Sequence, residues 1–285
     1  MISKFRIGVL VIILNFFASV ATTWGQVENP SLLQMAVPSL NIAPDARGGG
    51  MGDMGAATLP DINSQYWNAA KYAFMGSKAG VSLSYTPWLR KLVNDVALVN
   101  MTGYYKLGNS DLQAISASLR YFSLGEVNIW ENIGDVPYGL NPYEMAFDVA
   151  YSRKLSESYS MAVTLRYIRS DMGTDQNEES NAGNAFAADI SGYLEKYVLM
   201  GNAEALWSFG FNLSNIGSKI SYDGGNRNQY LPAKLTLGTG LLYPIDDYNQ
   251  IGVYLDLNKY MVPYAPQKKD GETDADFQAR EDDYK

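Results

Sequence analysis

The sequence predicts an all-β protein: a transmembrane antiparallel β-barrel, with about nine strands present behind an N-terminal plug segment. Three observations predict it. Apolar and polar residues alternate along most of the chain, and the connections between alternating stretches are by turns long and short. After residue 25 no run of 18 apolar residues offers a membrane-spanning helix.

The alternation is explicit in four stretches. Met145, Phe147, Val149 and Tyr151 fall on one face of 144–153, with Ala146, Asp148, Ala150 and Ser152 on the other. Met161, Val163, Leu165 and Tyr167 alternate with Ala162, Thr164 and Arg166. Trp207, Phe209, Phe211 and Leu213 alternate with Ser208, Gly210, Asn212 and Ser214. Ile251, Val253, Leu255 and Leu257 do so with Gly252, Tyr254, Asp256 and Asn258. Period two sustained this long specifies strands with one apolar and one polar face.

Nine strands are expected, at 79–85, 95–107, 112–130, 144–156, 159–172, 185–198, 205–218, 233–246 and 249–263. Most reach the ~9–11 residues that cross a bilayer at a tilt, where soluble strands average ~5–6. The stretch 112–130 is expected to run on beyond the membrane. Connections 86–94, 131–143, 173–184 and 219–232 are long, whereas 108–111, 157–158, 199–204 and 247–248 are short. Outer-membrane barrels pair long extracellular loops with short periplasmic turns. A secreted β-sandwich would share the alternation but has no reason to share that loop pattern.

Polarity assigns the faces. Arg120, Asp148, Arg166 and Asp189 all fall on the polar side of their strands. Facing lipid, each arginine would cost ~2–4 kcal/mol near the midplane, so these four are expected to face a lumen and pair there. Trp88, Tyr104, Tyr105, Trp130, Tyr138, Tyr243 and Tyr260 lie near strand ends, where aromatic girdles are expected.

Both termini differ from the strands. Residues 1–25 read as a signal peptide: Lys4 and Arg6, an apolar run from Ile7 to Val20, then the small residues Thr23 and Gly25 before Gln26. Residues 264–285 hold 11 charges in 22 positions without a strand pattern and are expected to form a charged extracellular loop. An odd strand count does not close a bacterial barrel, so a chain truncated before its closing strands is expected.

Composition narrows function. Among 285 residues there is no Cys and no His, and 22 Lys+Arg stand against 30 Asp+Glu for a net charge of −8. Disulfides, thiolate or imidazole catalysis and Cys- or His-ligated metals are excluded, and a nucleic-acid partner would need a basic patch. Glu126 with Glu131, or Asp246 with Asp247, are carboxylate pairs without a supporting motif, so no enzyme is expected.

Residues 26–78 are the plug candidate. The run Asp45, Ala46, Arg47, Gly48, Gly49, Gly50, Met51, Gly52, Asp53, Met54, Gly55 contains a formal G-x-G-x-x-G. A dinucleotide site needs a βαβ unit around it, and none follows. Glycines at this density suit a backbone bent in a confined space. Residues 60–74 are expected to form one short helix, with Pro60 at its start and Ile62, Tyr66, Ala69, Ala70 and Phe74 on one face. The motif residues of the plug are Asp45, Arg47, Gly48, Gly49, Gly50, Gly52, Gly55, Trp67, Asn68 and Ala70.

The run 45–52, followed by Gln65-Tyr66-Trp67-Asn68-Ala69-Ala70, resembles the PorV family of the type IX secretion system. It is similar, more distantly, to the FadL family of hydrophobic-compound transporters, whose plug motif is Asn-Pro-Ala. Asn68 and Ala70 match that motif, and Ala69 replaces its proline. The similarity extends through Tyr85-Thr86-Pro87-Trp88-Leu89 and the strands to Pro263. The resemblance implies a barrel of about 14 strands in the cell outer membrane, without cofactor. It also implies a role in protein export beside an SprA-like translocon. Cargo proteins would be accepted by their C-terminal signal domains and passed to PorU-like attachment machinery. Loops 131–143 and 219–232, rich in Tyr, Asn, Gly and Pro, are the expected binding surfaces. The FadL likeness implies instead a channel for hydrophobic small molecules, with an apolar pocket beneath the plug.

Overall fold

The computed structural model describes residues 33–91, 93, 95–108, 111–129, 136–173, 182–201, 203–222, 228–269 and 271–284. The expected signal peptide, Trp130 and the centres of three long loops lie outside them.

Among the described residues thirteen strands follow one another: β1 (Ala79–Pro87), β2 (Val96–Leu107), β3 (Gln113–Leu124), β4 (Val127–Ile129), β5 (Tyr138–Leu140), β6 (Tyr143–Lys154) and β7 (Tyr159–Asp171) come first. Then come β8 (Gly183–Met200), β9 (Ala203–Gly217), β10 (Ile220–Ser221), β11 (Asn228–Gln229), β12 (Lys234–Pro244) and β13 (Gln250–Tyr260). Nine of them form one antiparallel meander in the order β1-β2-β3-β6-β7-β8-β9-β12-β13, with β1 and β13 as its edges. These are the nine expected strands, with ends displaced by a few residues. The sheet is not closed between β13 and β1. β4 with β5, and β10 with β11, form separate small hairpins.

The expected strand 112–130 is interrupted. Gly125 takes φ +83°, a left-handed conformation that ends β3 at Leu124 and redirects the chain into the β4–β5 hairpin.

The faces are inverted relative to a soluble protein. Phe147, Leu165 and Phe209 are 46%, 66% and 39% exposed, while their neighbours Asp148, Arg166 and Ser208 are 5%, 6% and 3% exposed. A sheet that buries its polar side and opens its apolar side matches hydrocarbon outside and a filled interior within. No helix among the described residues is long and apolar enough to cross a membrane.

Residues 34–78 fill the polar side. Two apolar clusters cap that interior. One joins Val37 and Leu40 to Ala146, Ile168, Ala185 and Ile220, and the other joins Ala70 and Tyr72 to Tyr104, Ala150, Ala162 and Tyr193. Between them lies the layer of buried charge around Arg166.

The expected single helix at 60–74 is two short pieces, α2 (Ser64–Trp67) and a 3-10 turn (Ala69–Phe74). Asn68 between them is extended at φ −169°. The 264–285 stretch, described on its own, is likewise not all loop, since it contains α3 (Asp274–Tyr284). Thr273 accepts from the Asp276 N–H at 3.2 Å, and Asp274 and Asp276 occupy the positive end of the helix.

Candidate functional site: the plug seat

The plug begins with a cap. Asp45 accepts from Gly48 N at 2.8 Å and from Trp67 Nε1 at 2.8 Å, so one carboxylate starts α1 (Ala46–Gly50) and anchors the indole. The glycine run therefore opens with a helical turn, and the confined space expected around it is found at Gly48 and Gly55. Its glycines have different reasons. A Cβ at Gly48 or Gly55 would overlap the Trp67 ring, which lies against both. Gly52 has φ +79° and carries the chain out of the turn. Gly49 and Gly50 face open space, and nothing in the structure explains them. Arg47 reaches outward to an ion pair with Asp61.

Asn68 uses its whole amide. Its Nδ2 donates to Ala56 O at 2.8 Å and Gly192 O at 2.9 Å, and its Oδ1 accepts from Ala70 N at 3.1 Å. The extended backbone at Asn68 follows from this: a continuous helix would turn the amide away from the wall. Asn68→Ala is expected to cost about 2–4 kcal/mol by orphaning these buried groups. A urea titration of the detergent-solubilised chain measures it.

All nine sheet strands touch the plug. Ser84 of β1 donates to Pro44 O at 2.5 Å, Lys106 of β2 to Met75 O at 2.6 Å, and Ser116 of β3 to Gln65 Oε1 at 2.6 Å. Glu144 of β6 accepts from Ser39 N at 3.0 Å, and Ser160 of β7 donates to Ala70 O at 2.8 Å. Gly192 of β8 holds Asn68, and Ser208 of β9 donates to Ala57 O at 2.7 Å. Gly238 of β12 lies against Ala56, and Asp256 of β13 accepts from Gly55 N at 2.9 Å and Ala56 N at 3.0 Å.

Lys71 is buried within the plug, its Nζ donating to Gly55 O at 2.8 Å and Thr58 Oγ1 at 3.1 Å. Burial pushes its ammonium down from 10.5 to about 8, against the pull of Asp61. The unfolded chain therefore binds this proton more tightly, and stability rises with pH between about 8 and 10.5. Relative to Lys71→Met, the wild-type chain is expected to gain up to about 3 kcal/mol across that window. Parallel urea titrations at the two ends of the window measure the difference.

Three of the four predicted lumen charges come together. Arg166 Nε donates to Asp148 Oδ1 at 2.7 Å and Nη2 to Asp148 Oδ2 at 3.1 Å. Nη1 and Nη2 reach Asp189 at 3.2 and 2.9 Å, and Nη1 also donates to Asn215 Oδ1. All five guanidinium donors are used. A bulge makes room: Ala188 pairs with Ile216 but Ile190 with Leu213, so β9 carries an extra residue opposite Asp189. Asn215, at φ +59°, donates its N–H to Asp189 Oδ1 at 2.7 Å from there. Arg120 stands apart from this cluster. It donates to Ser39 O at 2.8 Å and to Ile42 O, and its guanidinium lies 4.7 Å from the Tyr66 ring centre.

The arrangement offers packing and hydrogen bonding, with no group of His, Cys, Asp or Glu among the described residues placed to hold a metal. Over residues 26–268 the chain matches the model of the type IX secretion system protein PorV. The chain belongs to the PorV family. No curated protein matches it. PorV proteins form a secretion-system family, and the antiparallel sheet with its inverted faces agrees with a β-barrel of that family.

Within this PorV-family chain, the plug motif divides by role. Asp45, Gly48, Gly55, Trp67, Asn68 and Ala70 form one packed unit, whereas Arg47, Gly49, Gly50 and Gly52 lie on its outer side. Sequence reasoning missed Lys71, Asn215 and the plug ligands Asn212 and Asp256. Inward parity marks the last two as polar lumen positions but names no partner. Tyr104, expected in a girdle, is buried inward and stacks on Tyr72 at 4.9 Å. Parity with outward Tyr105 already assigns it there.

Proposed function

We propose that this chain is an outer-membrane shuttle of the type IX secretion system. It accepts cargo proteins by their C-terminal signal domains from an SprA-like translocon and delivers them to PorU-like attachment machinery. The observation that carries the reading is the plug seated on the polar side of all nine sheet strands, added to family membership. Nine strands grip one plug, and the cavity between plug and wall measures about 30 Å3. That space admits solvent and no fatty acid. The larger apolar hollow, about 690 Å3, is lined by the outward residues Val81, Met101, Ile115 and Phe147. On the plug side the FadL-like channel is therefore disfavoured. With the interior occupied, binding falls to the rim, where loops 131–143 and 219–232 supply Tyr, Asn, Gly and Pro for adaptable contacts. Outer-membrane lipid surrounds the exposed apolar face.

Affinity purification of the complete protein from its host membrane tests this. Co-recovery of a large translocon and of secreted proteins bearing C-terminal signal domains is expected. Robust uptake of a labelled fatty acid by proteoliposomes, with neither partner recovered, would replace the shuttle by a channel.

A further inference from the structure

The cavity between plug and wall has a chemistry of its own. Its lining includes Tyr66 and Trp67 from the plug, Arg120 of β3, Asn212 of β9, Lys234 of β12 and Asp256 of β13. Three of these residues each carry a buried side-chain atom without a protein partner: Arg120 Nε, Asn212 Oδ1 and Asp256 Oδ1. Arg120 and Asn212 are more than nine-tenths buried.

The orientation of each group is determined by its other end. Asn212 Nδ2 donates to Trp67 O at 3.0 Å, so the free atom of that amide is its oxygen. Asp256 Oδ2 is taken by Gly55 N and Ala56 N, leaving Oδ1. Arg120 spends Nη2 on Ser39 O and Ile42 O, and its buried Nε has no protein partner. The three buried atoms without a protein partner are therefore one donor and two acceptors.

Charge then selects the occupant. The lining carries Arg120, Arg166 and Lys234 against Asp53, Asp148 and Asp256, which cancel. With no net charge in the lining, neither a cation nor an anion is favoured over a neutral ligand. Water both donates and accepts, and each water needs roughly 10–15 Å3 of such space. A cavity of about 30 Å3 holds two or three.

We propose that this cavity is a resident-water site, in which ordered water bridges Arg120 Nε, Asn212 Oδ1 and Asp256 Oδ1. The plug is thereby seated on β3, β9 and β13 through solvent where direct contacts stop. The water is a fixed ligand and no part of a conduit.

Crystals of the full chain in detergent, soaked in rubidium bromide and ordered enough to reveal bound water, test the assignment. Light-atom density within hydrogen-bonding reach of at least two of the three atoms is expected, without anomalous signal. An anomalous peak from either ion in the cavity, or a dry cavity, overturns the proposal. Asn212→Leu removes one acceptor and fills the space, so the density beside Arg120 Nε is expected to vanish. Its persistence would overturn the bridging role. The wild-type measurement stands by itself should that variant fail to fold.

Discussion

Replacing Arg166 with leucine is expected to lower the unfolding free energy by about 3–5 kcal/mol. The loss comes from what stays behind. Asp148 and Asp189 lie on strands either side of β7, both buried, and only Arg166 forms a salt bridge with them among the described residues. Two carboxylates without their cation must either remain charged in a poorly solvated lumen or take up protons. The triple variant Arg166→Leu, Asp148→Asn, Asp189→Asn is expected to recover most of the loss, because a buried ion network is often no more stable than its neutral replacement. Urea titration in detergent, read through tryptophan emission, compares the two. A single variant within about 1 kcal/mol of wild type would mean that the network is as solvated as a surface pair.

Gly210→Ala is expected to unseat the plug. A Cβ at Gly210 would run into the Ala56 carbonyl, a backbone atom that Asn68 already holds in place. Overpacking costs typically about 1–3 kcal/mol, and a rigid neighbour places this substitution at the upper end. Gly55→Ala should behave similarly, since its Cβ would overlap the Trp67 ring wedged between Gly48 and Gly55. Gly49→Ala is the internal control. Nothing lies within 4 Å of the added carbon, and alanine favours a helical turn over glycine by about 0.5–1 kcal/mol. Limited trypsin digestion at Arg47 and Lys71, alongside melting temperature, reads all three. Faster plug cleavage is expected in Gly210→Ala and Gly55→Ala and unchanged cleavage in Gly49→Ala. Equal effects from all three would contradict the packing described.

Much of the barrel wall was legible in the order of residues. Phe147, Leu165 and Phe209 are written as the apolar partners of Asp148, Arg166 and Ser208, and the structure turns each set to its expected side. The plug was less legible. The helix expected over 60–74 breaks at Asn68 because its amide is claimed by Gly192, 124 positions away. Asp256 likewise appears as one more polar residue in an alternating strand, and its partners Gly55 and Ala56 lie about 200 positions earlier. The cap at Asp45 and the Thr273–Asp276 start of α3 each join residues three apart, local signals passed over in reading 45–55 as a bent backbone and 264–285 as a loop.

Alone, then, the amino-acid order determined which side of each strand is greasy, how many strands line up, and that they meander. Those properties need only neighbours two apart and the length of each turn. The meeting of Asp148, Arg166, Asp189 and Asn215, and the seating of Trp67 and Asn68, were decided by the tertiary structure. They depend on register, one β9 bulge and contacts across the lumen, none of which leaves a periodic trace in the chain.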